Sequence, residues 1–448
     1  MLRSLTAGSL LMPGILQLLL AQESRGDAIN PLAPKAPQFP AKAKRVIFLY
    51  MSGGVSHMDT FDPKPRLVAD GGKPSTKKPG ARPFLRPFWD FKPGGRCGTP
   101  VSDLFPYVRE CMDDICLINS MHGDHNDHFQ ATLGIHTGSV TFARPSIGSW
   151  VTYGLGTLNQ NLPCFVVLAP FLPYTGTQAW SSDFLPGCYQ GTRIVAGPEP
   201  IPDLRRTSQS LEIEQMELGL LKQFNRRHQQ YHPGNPALAA RIKSFETAFG
   251  MQRQMPEALD LSHESDATLA LYGLQRGSTT GFAWQCLMAR RMIERGVRFV
   301  ELIDTGSSSN WDSHSDMHDH ARLAKNVDQP IAGLLKDLKS RGLLEDTLVV
   351  WTTEFGRTPT TDGPIGRSHQ SACYSSWLAG AGVKGGMVYG KSNEYGAKVA
   401  ENGVHVHDFH ATILRLLGFD HEKLTFRHAG RDYRLTDVSG TVVKEILA

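Results

Sequence analysis

No Cys-x-x-Cys pair occurs anywhere in this chain, so neither a zinc ribbon nor a thioredoxin-like redox motif is present. The seven cysteines (Cys97, Cys111, Cys116, Cys164, Cys188, Cys286, Cys373) are scattered, and the odd count leaves at least one thiol unpaired within the chain. A strong charge imbalance is missing too. Against 43 acidic residues stand 47 basic ones, a net +4, too weak a field to argue for nucleic acid or an anionic membrane surface. The Leu-rich, acid-free stretch from Leu10 to Leu20 falls short of the roughly 20 residues a bilayer span takes. Internal repeats are absent. What is there is globular composition, 40% hydrophobic and 20% charged over 448 residues, enough to enclose a large core.

Arg3 followed by that apolar stretch and Ala21-Gln22 has the layout of a bacterial export signal, or of the latter part of a twin-arginine signal whose arginine pair is incomplete. A frayed N-terminal helix is the alternative. Residues 1–22 are thus expected to be an export signal, placing the mature protein in the periplasm or outside the cell with no membrane span of its own. Residues 23–44, rich in Pro and Ala, read as a linker, and 45–448 as one domain. Arg45 to Met51 is a continuous apolar run ending at Ser52-Gly53-Gly54, the mark of a strand covered on both faces. Ile115 to Ile118, Val297 to Ile303 and Thr347 to Thr352 read as further strands; helical segments Trp284 to Arg295 and Ala332 to Arg341 precede the last two and end at Gly296 and Gly342. This alternation predicts an α/β three-layer sandwich, a mostly parallel central sheet with helices on both faces. A charged segment of helical period, about 199–277, reads as an inserted helical region.

Such a sheet places its chemistry beyond the carboxyl ends of its strands, and the polar clusters fall there. In Asn310-Trp-Asp-Ser-His-Ser-Asp-Met-His-Asp-His320, carboxylates alternate with imidazoles, a mixed oxygen and nitrogen ligand supply. Asp312 and His314 lie nearest the predicted strand end; the alternative is a solvated loop whose Asp and His cap the next helix. Glu354 ends a strand near Arg357 and Arg367, and His369 follows a glycine-marked turn. A carboxylate in that position needs a paired cation or a metal, while the arginines suit either an ion pair or a two-pronged grip on phosphate or sulfate oxygens. A third cluster holds His122, Asp124, His125, Asp127, His128 and His136, more imidazole than a core tolerates unpaired; a surface loop is the alternative.

The set Gly53-Gly-Val-Ser-His-Met-Asp-Thr-Phe-Asp-Pro-Lys-Pro65, Trp311-Asp-Ser-His314, Thr353-Glu-Phe-Gly-Arg-Thr-Pro359, Gly366-Arg-Ser-His369 and Asp408-Phe-His-Ala-Thr-Ile-Leu414 resembles the bacterial domain of unknown function 1501 family. The resemblance spans nearly everything from Arg45 onward. It implies a sulfatase-like fold of the alkaline phosphatase superfamily, often exported by the twin-arginine route. Carried over residue by residue, the resemblance makes Asp312 and His314 part of a metal-ligand region, Glu354 the equivalent of a later ligand aspartate, and His369 of a final ligand histidine. Phe355 replaces a histidine of that pattern. The first strand should end in a ligand aspartate, yet Ser52-Gly53 stands there, leaving His57 or Asp59 to reach the metal. The nucleophile position, counted back from Thr137-Gly138, falls on His128, preceded by Asp127. His128 is then nucleophile, metal ligand, or neighbour of a metal-activated water. No Cys-x-Pro-x-Arg motif exists, which excludes formylglycine chemistry.

The expected function is a hydrolase of sulfate or phosphate esters using a divalent ion (zinc, calcium, magnesium or manganese). Asp312, His314, Glu354, His369, His57 and Asp59 are the candidate ligands, and His128, Asp127, Arg357 and Arg367 the candidate catalytic residues. Its substrate would be an anionic small molecule or glycan. The alternative is a non-catalytic exported protein of the same fold that binds an anionic glycan.

Overall fold

The apolar run that begins at Arg45 forms a central strand, β1 (Arg45–Tyr50), buried from Val46 onward. In chain order there follow β2 (Ile115–His122), α1 (His128–Thr137), α2 (Ile147–Leu155), β3 (Phe165–Leu168), β4 (Thr192–Ile194), α3 (Leu211–Tyr231), α4 (Pro236–Leu259), α5 (Asp266–Tyr272) and α6 (Phe282–Glu294). Then come β5 (Phe299–Ile303), α7 (Asp319–Ser340), β6 (Thr347–Thr352), the hairpin β7 (Gly356–Asp362) and β8 (Gly366–Gln370), β9 (Tyr374–Ala379), β10 (Met387–Tyr389), β11 (Val404–His405) and α8 (Val406–Leu416). This computed structural model describes residues 30–448 apart from 198, 203, 205–210, 233 and 234. The export signal expected over 1–22 lies outside the described residues.

The sheet runs β10-β2-β9-β6-β1-β5-β3-β4, with β11 beside β2. Every neighbouring pair is parallel except those of β9, which is antiparallel to both β2 and β6. Because side chains alternate along a strand, β1 feeds two cores. Ile47 and Leu49 join the helices α6 and α7 on one face, while Val46, Phe48 and Tyr50 join α2 and α8 on the other. Helices therefore cover both faces, the α/β sandwich that the strand and helix alternation predicts. Gly296, at φ +88°, ends α6 where a left-handed residue stops a helix.

Several elements differ from the sequence expectation. The helix read over 332–341 is the second half of α7, which starts at Asp319 and continues through Pro330. The hairpin and the strands β3, β4, β9, β10 and β11 were not expected. Residues 30–44, part of the linker read over 23–44, carry no helix or strand but are strapped to the domain. Leu32 and Ala43 are buried, and the backbone N–H groups of Lys35, Phe39 and Lys42 donate to the carbonyls of Leu155, Gly418 and Leu416.

A buried titratable group in α8 makes the fold acid-sensitive. His410 is fully buried and donates from Nε2 to the Ile135 carbonyl at 2.8 Å. Burial pushes its pKa down to about 3 over the opposing hydrogen bond, whereas an unfolded imidazole titrates near 6.5. The unfolded chain takes up this proton first, so the contribution to stability is complete above about pH 6.5 and is lost progressively toward pH 3. Between pH 7 and pH 5 the wild type should lose about 2 kcal/mol more unfolding free energy than His410→Gln. Urea denaturation at the two pH values measures this, and equal losses would show that the ring accepts a proton in the folded state.

Candidate metal centre

Three loops meet at the carboxyl edge of the sheet. After β1 the chain turns through Gly53 and Gly54, at φ +113° and +75°. A Cβ on Gly53 would stand 2.6 Å from Trp311 N, and one on Gly54 2.6 Å from the Phe355 ring, so only glycine lets the loops after β5 and β6 close over this one. Asp304, buried at the end of β5, fixes the second loop. Its carboxylate accepts from Trp311 Nε1 at 2.5 Å and from Ser52 N at 3.0 Å, and burial pushes its carboxyl up to about 6 despite those donors.

On this frame three imidazoles surround one carboxylate. Asp312 Oδ2 lies 3.3 Å from Nε2 of His128, the first residue of α1. Asp312 Oδ1 lies 3.0 Å from His314 Nε2 and 3.1 Å from Nε2 of His369, which β8 carries. The two Nε2 atoms of His314 and His369 are 2.8 Å apart. Ligand-capable atoms of His128, Asp312 and His369 all fall within 4.8 Å of one another.

The far nitrogen of each ring decides what the near one offers. His128 Nδ1 is 2.7 Å from Glu354 Oε1, His314 Nδ1 is 2.6 Å from Asp362 Oδ2, and His369 Nδ1 is 2.8 Å from the Asn126 carbonyl. All three partners are pure acceptors, so each Nδ1 carries a proton, and each Nε2 faces Asp312, where it can donate to the carboxylate or, once deprotonated, bind a metal. His128 Nε2 is buried, with Asp312 Oδ2 at 3.3 Å its nearest polar neighbour. An imidazole anchored through one nitrogen to a carboxylate or carbonyl is the way proteins orient metal-ligating histidines.

Electrostatics follow from this packing. Burial alone would lower the His128 pKa, but hydrogen bonds to Asp312 and Glu354 raise it to about 9. Burial would raise Asp312, yet His128, His369 and Arg357 hold its carboxyl far below the ordinary range. Glu354 has no exposed side-chain surface and accepts from Gly53 N at 2.8 Å and from Tyr50 and Thr353 hydroxyls at 3.0 Å, besides His128. Those donors keep it ionised against its burial.

The structure brings together His128, Asp312, His314 and His369, with Glu354 and Arg357 directly behind them. Other expected residues do not join. His57 and Asp59 sit in a buried helical turn after β1, where His57 Nε2 donates to the Gly396 carbonyl at 2.9 Å and Asp59 pairs with Arg367 at 2.8 Å. Neither reaches the cluster, because each is already engaged in the core. Asp127 caps α1 by accepting from Phe129 N. Arg357 and Arg367 are no anion clamp, since both are fully buried and taken up by protein acceptors. Arg357 donates to Asp312 Oδ1 at 2.6 Å and to the carbonyls of Gly53, Gly54, Trp311 and Arg367. Arg367 donates to Asp59, Leu85 O and Thr358 O. Of the histidine-rich third cluster only His128 enters; His136 is a buried partner of Glu301 at 2.8 Å, and His122 lies against His405.

Sequence reasoning missed four contributors. Tyr174 stacks flat on His128 with ring centroids 4.1 Å apart, and its hydroxyl accepts from Asn310 Nδ2; burial pushes its pKa up to about 12. Phe355 packs its ring against His128 and His369 at 4.8 and 4.6 Å. Asp362 and the Asn126 carbonyl orient two of the rings. Tyr174 belongs to no motif, and a backbone carbonyl leaves no trace in side-chain identity.

The Asp59–Arg367 pair is predicted to be structural. Arg367→Met should cost about 3–5 kcal/mol of stability by leaving a buried carboxylate unpaired, and adding Asp59→Leu should recover most of it. Thermal and urea unfolding test this. An Arg367→Met protein of undiminished stability that has lost ester turnover would return Arg367 to the site.

The family model for DUF1501, described as a protein of unknown function, matches residues 43–447. No curated protein matches the chain. Among solved structures, Ps i-CgsB in complex with k-i-k-neocarrahexaose aligns at 11% identity and TM-score 0.38, covering 84% of this chain and 72% of its own. The PsFucS1 sulfatase from Pseudoalteromonas sp. aligns at 11% identity and TM-score 0.36, with coverage of 85% and 68%. The alkaline phosphatase of the Antarctic bacterium TAB5 aligns at 10% identity and TM-score 0.31, with coverage of 80% and 96%.

Proposed function

This chain belongs to the DUF1501 family of proteins of unknown function, and from that premise we propose that it is a metal-dependent hydrolase of sulfate or phosphate esters, exported from the cytoplasm, whose ion is held by His128, His314, His369 and Asp312. One observation carries the reading. Three histidines each spend Nδ1 on an acceptor and turn Nε2 toward the same carboxylate. With a buried Nε2 of His128 turned to Asp312, the donor set fits a divalent ion, and its three nitrogens favour zinc over the oxygen-seeking calcium, magnesium and manganese.

A divalent ion bound there supplies a Lewis acid that polarises an ester oxygen and lowers the pKa of a water. The protein's share is positioning. Glu354 holds the His128 proton on Nδ1, Asp362 and the Asn126 carbonyl do the same for His314 and His369, and Arg357 fixes Asp312 while offsetting its charge. Tyr174 and Phe355 wall His128, whose side chain is 10% exposed, whereas His314 is 41% and His369 21% exposed. Substrate, an anionic small molecule or sulfated or phosphorylated glycan, therefore approaches from the His314 and His369 side. Of the three roles open to His128, ligand is the one its geometry supports, because Nε2 points into the cluster beside Asp312 and His369 and a bound cation would displace its proton.

One observation favours the alternative, a non-catalytic exported protein binding an anionic glycan. Arg357 and Arg367 are consumed by protein acceptors, so neither is free to follow charge on a reacting group. Elemental analysis with an ester-hydrolysis screen separates the two. Wild type should hold a stoichiometric transition ion, His128→Ala with His369→Ala none, and Glu354→Gln should bind about 10–100-fold more weakly. Turnover of a sulfate or phosphate ester should vanish with a chelator and return with the ion. Folded wild type that takes up no ion would sink the proposal, and metal without turnover would select the binding protein.

A further inference from the structure

Exposed large apolar side chains concentrate on one element remote from the metal centre. On α3, Met216 is 67% exposed, Leu220 55%, Phe224 59% and Tyr231 68%. Their spacing puts them on a single face. The opposite side of the helix carries Leu218 and Asn225, which line a cavity of about 270 Å³ with Ile242 and Phe249 of α4. The apolar stripe is thus turned away from the only element that packs closely on α3 among the described residues. Its charges are segregated: Glu212 and Glu217 lie in the first half, Lys222, Arg226 and Arg227 in the second, and all are exposed.

We infer that this stripe pairs with the same stripe of a second copy of the chain, antiparallel, about a two-fold axis near residue 222. A two-fold contact must be self-complementary, and an antiparallel register centred there satisfies that. With the axis there, Leu220 meets the partner's Phe224 and Glu217 meets the partner's Arg227, each contact occurring twice. Met216 falls beside the partner's His228. A parallel pairing would set acid on acid and base on base along the whole helix. An anionic lipid surface is a poorer occupant, since the acidic first half would be repelled where the apolar side chains insert. The stripe from Met216 to Tyr231 is about 22 Å long at the helical rise, a modest contact area, so association in the micromolar range is expected.

The test is sedimentation equilibrium of the full chain, with circular dichroism to verify the fold of each variant. Wild type should show a monomer–dimer equilibrium, and Leu220→Asp should weaken it by about a hundredfold or more by placing a charge in the apolar seam. Glu217→Arg alone and Arg227→Glu alone should each weaken it about tenfold, and the two together should restore it, because the reversed pairs re-form only in the antiparallel register. Wild type that stays monomeric at about 100 μM, far above the expected constant, would overturn the inference. So would a dimer indifferent to Leu220→Asp, or a double reversal no better than the singles. A monomer that sediments with phosphatidylglycerol vesicles would assign the stripe to a membrane surface instead.

Discussion

The arrangement at the carboxyl edge of the sheet depends on one buried guanidinium. Arg357 reaches the loop after β1 through the carbonyls of Gly53 and Gly54, the loop after β5 through Trp311 O and Asp312, and the hairpin strand β8 through Arg367 O. A cation without solvent access is tolerated only when its donors are matched, so these loops must close together for the charge to be satisfied. Asp312 takes its place as part of that closure. Its position is thus set by the core, although its side chain is 26% exposed.

Around Asp312 the three rings arrive from different parts of the chain, one at a helix start, one in a strand-end loop and one on a hairpin. Each is oriented by a group of its own. Glu354, buried and four times hydrogen-bonded, orients His128, while the exposed ring of His314 depends on Asp362 of the hairpin. Burial therefore falls from the His128 side to the His314 side. Burial and charge do opposite work on the two acids. Asp312 is held ionised by its neighbours, whereas Asp304, one loop anchor away, is pushed toward the neutral form by a drier setting.

Much of this was legible in the residues. The continuous apolar runs located β1, β5 and β6, and the strand-end rule then pointed to Asp312, His314, Glu354 and His369. His128 stood out by its place before Thr137-Gly138 and proved to face Asp312. What misled was reading charge as availability. Arg357, Arg367, His57 and Asp59 carry the right chemistry, but sequence spacing says nothing of how many backbone carbonyls and buried partners already claim them. The acceptors behind the rings were hidden for a related reason. A carbonyl such as that of Asn126 works through the path of the chain, and Tyr174 through stacking across a long sequence separation. The antiparallel strand β9, with serines at Ser375 and Ser376 breaking its apolar pattern, lacked the uniform look of its neighbours.

That one reversed strand places much of the site on a short excursion from the sheet. A parallel successor to β6 would have obliged the chain to cross to the far edge of the sheet before returning. Because β9 runs the other way, the chain leaves β6 and re-enters the sheet in the adjacent lane at the same edge. The excursion between them, residues 353–373, holds Glu354, Arg357, Asp362 and His369. It is an excursion tethered at neighbouring points of the sheet, and its tip is pinned to the loop after β5, Ile365 N donating to Ser315 O and Met317 N to Ile365 O. A change of length at this tip would leave strand order untouched yet displace Asp362 and release the His314 ring from its anchor.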